Sequence, residues 1–149
     1  MIVLEEREIT LAVRDYLVVR DWQILSIHFP GAQGGLSISV DGKSKRWVPD
    51  LVASKDKIVL INESKRRYSL KDIDKLNNMF NEPRFIGKLR SKLNFPSGSI
   101  LQKAIAFHST SFDQNRVPQG FVVFLVKKKD DVNTLLGNGL IDLVAVAFK

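Results

Sequence analysis

Apolar positions recur with a helical period over residues 5–20, where Ile9, Ala12, Val13, Tyr16 and Leu17 fall on one stripe. Trp22 to Phe29 is apolar with little polar interruption and reads as a buried strand or as the connection into a sheet. Pro30-Gly31-Ala32-Gln33-Gly34-Gly35 is a loop, Leu36 to Val40 alternates as a half-buried strand, and Asp41-Gly42 turns it. Trp47 to Val52 and Lys57 to Glu63 are two short apolar segments, the second rich in β-branched residues. The polar stretch Ser54-Lys55-Asp56-Lys57 between them makes the pair a β-hairpin.

After Lys65 the period lengthens again. Ser69-Leu70-Lys71-Asp72 resembles a capping box, and Leu70, Ile73, Leu76 and Phe80 continue at helical spacing. Pro83 opens a second helical stretch with Ile86, Leu89 and Leu93, which Pro96-Ser97-Gly98 ends. Ile100 to Phe107 and Phe121 to Val126 are strand-like. Asp130 to Leu136 is expected as a short helix, Gly137-Asn138-Gly139 as a turn, and Ile141 to Phe148 as a last apolar strand. No repeat, linker or low-complexity segment interrupts residues 1–149, which fits a single domain of α/β class.

Composition changes this picture little: 44% hydrophobic and 26% charged residues are ordinary for a globular chain. No apolar stretch approaches a membrane span, and the first residues lack the features of a signal peptide, so a cytoplasmic protein is expected. With no cysteine, disulfides and thiolate zinc sites are excluded. Charge changes it more. The net charge is +7 and the pI about 9.8, with basic residues gathered at 43–46, 65–67, 84–92 and 127–129. Such a balance favours a polyanion, reached through phosphate contacts and counterion release.

The candidate chemistry lies in the hairpin. Glu63 and Lys65 are two apart on the second strand and so share a face, and Asp50 lies near the start of the neighbouring strand. Two carboxylates and a lysine brought together in this way can hold a hard divalent cation with a water beside it. Pro49-Asp50, twelve residues and Glu63-Ser64-Lys65 together resemble the motif of the PD-(D/E)XK nuclease superfamily, which includes restriction endonucleases, Holliday-junction resolvases and transposon-end nucleases. The order helix, three strands, helix, strand over about residues 5–110 is similar to that superfamily's αβββαβ core, a central mixed sheet flanked by helices.

The resemblance implies a metal-dependent DNA endonuclease with Asp50, Glu63 and Lys65 catalytic. Asp50, Glu63 and the backbone carbonyl of Ser64 would ligate Mg²⁺, or Mn²⁺ in its place. It also implies a further acidic ligand from the first helix. Alignment on Trp22 puts Thr10 where that acid sits, so Glu6, one turn earlier on the same stripe, is taken as the ligand; complementing the helix dipole is the alternative role for Glu6 and Glu5. Gln33 in the glycine-rich loop would touch nucleic acid, and Arg66 and Arg67 would hold phosphates flanking the scissile one. His28 and His108, with no partner at ligand or triad spacing, read as packing residues, and Trp22 and Trp47 as core anchors. Cutting two strands needs two active sites, so a homodimer or a subunit of a larger nuclease system is expected. The rival readings are a non-catalytic nucleic-acid-binding protein on the same fold, and an RNA-directed nuclease.

Overall fold

The computed structural model describes residues 3–28, 37–38, 47–96 and 98–148. The proposed contact Gln33 and the basic cluster at 43–46 lie outside them, as does most of the strand expected at 36–40, of which Ile38 pairs with Trp47 in an isolated antiparallel bridge. No helix among the described residues is long and apolar enough to cross a membrane.

Helix α1 (Glu6–Val19) is followed by strands β1 (Gln23–Ile27), β2 (Leu51–Lys55) and β3 (Ile58–Lys65), helices α2 (Leu70–Phe80) and α3 (Pro83–Leu93), and strand β4 (Ile100–His108). A 3₁₀ turn at Gln114–Arg116 leads to β5 (Phe121–Lys128), β6 (Asp131–Leu136) and helix α4 (Asp142–Ala147). The six strands form one mixed sheet in chain order. β3, β4 and β5 run parallel, and the remaining neighbours pair antiparallel.

The helix periods put their apolar stripes on opposite faces of this sheet. Ile9, Ala12, Val13 and Leu17 of α1 cover Leu51, Ile58, Leu60, Ala104 and Phe124, and Val144 of α4 joins them. Ile73 and Leu76 of α2 with Phe85 and Leu89 of α3 cover Val52, Val59, Ile61, Ile105 and Val123. β3 is therefore buried on both sides, which is why Ile58 to Ile61 reads as an unbroken apolar run. Alternation along it sends Ile58 and Leu60 toward α1, and Val59, Ile61 and then Glu63 toward α2 and α3.

Four expectations are corrected. Residues 131–136 form β6 instead of a helix: Val132 and Leu136 pack toward α1 while Leu135 packs on the other face, a period of two. Residues 142–147 form helix α4 instead of a strand, because Leu140, Val144, Ala147 and Phe148 meet the core at helical spacing. β2 extends to Lys55, so the hairpin turns on Asp56 and Lys57 alone, with Asp56 at positive φ. Ser69 caps α2 without a side-chain cap hydrogen bond, and Leu70 is 68% exposed and contributes nothing to the core.

Candidate active site

Register creates the site. Leu51 pairs with Asn62 across β2 and β3, so Asp50, one residue earlier, falls opposite Glu63. The backbone N–H of Ser64 donates to Asp50 Oδ2 at 2.7 Å, which ties the residue before β2 to the end of β3. Glu63 is 4% exposed, and its Oε1 accepts a 2.9 Å hydrogen bond from Trp47 Nε1. Trp47 is itself immobilised. Its N–H and C=O both pair with Ile38, and its ring meets Phe80 and Phe85 edge-on at 6.4 and 6.3 Å.

Each carboxyl group thus has one oxygen committed to a fixed N–H donor and one oxygen free of it. Register sets the two carboxyl groups opposite each other across the ladder, where two negative charges would repel. Burial is the main reason that Glu63 holds a proton: its pKa is pushed up to about 8, with the nearby Asp50 charge adding to the shift. The Lys75 charge and the Trp47 hydrogen bond oppose it. A divalent cation between the two carboxylates would supply the compensation that the proton supplies in its absence. The donors are all oxygen, the preference of Mg²⁺ and Mn²⁺. Among the described residues no group of three or more histidine, aspartate and glutamate side chains meets at metal-binding range.

Lys65 follows at the C-terminal end of β3, its side chain 41% exposed, with Nζ 3.8 Å from Glu6 Oε1 and 3.9 Å from Asp72 Oδ1. Glu6 is therefore brought to Lys65, not to the Asp50–Glu63 pair. Asp72, which sequence reasoning assigned to a helix cap, is the second acid at this lysine. Thr10, the residue aligned with the acid position of the superfamily motif, is buried and donates its hydroxyl to the Glu6 carbonyl of its own helix at 3.0 Å. Arg66 reaches Glu5 at 3.7 Å, and Arg67 is exposed. Lys65, Arg66, Arg67, Ser69 and Asp72 line a hollow of about 460 Å³, and a neighbouring one of about 820 Å³ runs from Lys65 along α2 past Lys71 and Lys75.

The structure puts both histidines nearer this end of the sheet than their spacing suggested. The N–H of His28 donates to the Asp50 carbonyl at 2.8 Å, next to the site, and its buried Nδ1 has no hydrogen-bond partner among the described residues. His108 Nδ1 accepts from the Leu4 N–H at 2.9 Å, fastening the entrance of α1 to the end of β4. Trp47 is a core anchor as expected, but its bond to Glu63 was not legible in the sequence. The only signal for it is that a buried indole N–H needs an acceptor. No family model matches this chain, and no curated protein matches its sequence.

Proposed function

We propose that this chain is a divalent-metal-dependent nuclease that hydrolyses phosphodiester bonds in DNA, built on a restriction endonuclease-like core. The observation that carries the reading is the buried Glu63 with the half-buried Asp50 opposite it across the β2–β3 ladder, and Lys65 next on the same strand face. The element order α1, β1–β3, α2, α3 and β4, one helix more than the αβββαβ pattern, supports the same core.

Asp50 and Glu63, with the Ser64 carbonyl, would hold Mg²⁺ or Mn²⁺. When bound, the ion lowers the pKa of a water and offsets negative charge on the phosphate. Binding it requires the Glu63 proton to leave, so affinity rises with pH up to about 8. Lys65 places a compact positive charge at the end of β3, where the phosphate arrives. Its two acids stand at 3.8 and 3.9 Å, outside good hydrogen-bond range, so a phosphate oxygen can take their place. Arg66 and Arg67 hold the neighbouring phosphates, and two copies or a partner subunit would supply the second cut. The binding-module reading draws on one observation, that Lys65 is already engaged by Glu6 and Asp72.

Lys65→Ala separates the two readings. Incubated with supercoiled, linear and branched DNA and Mg²⁺, the variant should cut at least about a hundredfold more slowly than the parent while binding DNA nearly as tightly. Lys65→Arg should not restore the rate, because a wide planar guanidinium does not replace a point charge. Equal cutting by parent and variant, or none by either with any divalent metal, would replace the nuclease with the binding module.

Trp47→Phe tests how Glu63 is held. It keeps most of the ring packing and removes the N–H, and so should weaken Mn²⁺ binding about tenfold, the scale for a lost outer-shell hydrogen bond. Calorimetric titration reads this directly, and unchanged affinity would show that the indole does not orient the carboxylate.

A further inference from the structure

The parallel neighbours β4 and β5 need a crossover, and residues 109–120 make it with one 3₁₀ turn. This segment is fixed at several points. Phe112 and Val117 pack on the α2/α3-side core, Asp113 accepts from the Asn115 N–H at 2.9 Å, and Gln114 donates to the Leu136 carbonyl at 2.8 Å. Arg116 leaves the turn with its guanidinium 5.1 Å from the centre of the Tyr68 ring and 4.9 Å from that of Phe112. Those two rings lie 5.0 Å apart and both rest on Phe107.

Tyr68 links this cluster to the site. It follows Arg67 directly and lines a small hollow together with Lys65, Arg67 and Phe107. Arg116 is exposed, and its guanidinium makes no hydrogen bond or ion pair with any described residue. Lys65 and Arg66, by contrast, each face an acid. A guanidinium lying on aromatic rings keeps its N–H groups in its own plane, pointing outward from its edges. That fork matches two phosphate oxygens, and the rings beneath cut the rotamer freedom lost when it binds.

We propose that Arg116 binds a backbone phosphate of the nucleic-acid strand, extending the basic track from Lys65 through Arg67 across the ends of β3 and β4. This rests on the reading that a nucleic-acid strand lies over Lys65. It adds that the strand continues over the β4–β5 crossover, with Tyr68 and Phe112 setting the plane of the arginine that holds it. The contact is to phosphate and carries no sequence information.

The experiment is a salt titration of binding by fluorescence anisotropy. It uses the full chain and labelled duplexes of two unrelated sequences, in EDTA so that nothing is cut. Arg116→Gln should bind both duplexes several-fold more weakly, and its slope of log affinity against log salt should be shallower by about one, one phosphate contact having been lost. Parent binding with an unchanged slope in the variant overturns this inference and leaves the nuclease reading intact. A lowered Tm with an unchanged slope overturns it too, assigning Arg116 to capping the rings. No binding by the parent overturns both. A measurement on the parent alone guards against a variant that fails to fold: DNA should protect Arg116 from an arginine-specific dicarbonyl reagent, read by peptide mass, and equal modification with and without DNA counts against the contact.

Discussion

In EDTA, the protein should lose thermal stability steadily as pH rises from 4.5 to about 8, and Glu63→Gln should remove most of that dependence. Below 4.5 the Glu63 carboxyl is protonated in the folded and the unfolded chain alike, and folding pays nothing for its burial. Between 4.5 and about 8 the unfolded chain releases the proton while the folded one retains it, so stability falls with each step up in pH. Above about 8 the buried group is ionised in both states and the loss is complete. One pKa unit corresponds to about 1.4 kcal/mol, which makes roughly 5 kcal/mol the upper bound across the window. Saturating Mn²⁺ should flatten the profile above neutrality, since the ion binds the ionised pair in the folded state only. The measurement is Tm against pH for parent and Glu63→Gln, each with EDTA and with Mn²⁺. Parallel profiles for the two proteins in EDTA would show that Glu63 is not held neutral by its surroundings.

What the sequence revealed follows the range of the interactions involved. The stripe Ile9, Ala12, Val13, Leu17 and the doubly buried run Ile58 to Ile61 were legible because one face, or both faces, of an element meet the core. The approach of Asp50 to Glu63 was legible because a tight hairpin fixes register, even though the strand runs two residues further than its polar composition suggested. The last quarter was misread at two elements. Ile141 to Phe148 is apolar enough to satisfy either period, and the way Leu140, Val144, Ala147 and Phe148 meet the α1-side core decides for the helix. Asp131 to Leu136 becomes a strand because β5 offers it a free edge, and the Thr134 hydroxyl finds Tyr16. Trp47 at Glu63 and Arg116 over Tyr68 were not legible at all: each depends on two distant segments meeting, and neither leaves a spacing in the chain.

The sharpest separation of function from stability is expected at Asp50. Asp50→Asn keeps a side-chain oxygen that can accept the Ser64 N–H, so the tie between β2 and β3 survives. It removes a negative charge that opposes ionisation of Glu63, and with it a source of repulsion inside a buried site. The same change takes away one of the two carboxylates proposed to hold the metal. Cleavage should therefore fall by at least about a thousandfold, beyond the loss of a single charge-stabilising donor, and calorimetry should show no Mn²⁺ binding at millimolar metal. Tm in EDTA at pH 8 should meanwhile be equal to or above that of the parent. Sites that hold like charges close together for chemistry gain stability when one charge is removed, whereas a purely structural hydrogen-bonded pair loses it. A variant that is destabilised and still binds metal would assign Asp50 to the architecture of the hairpin and leave the proposed nuclease without its first ligand.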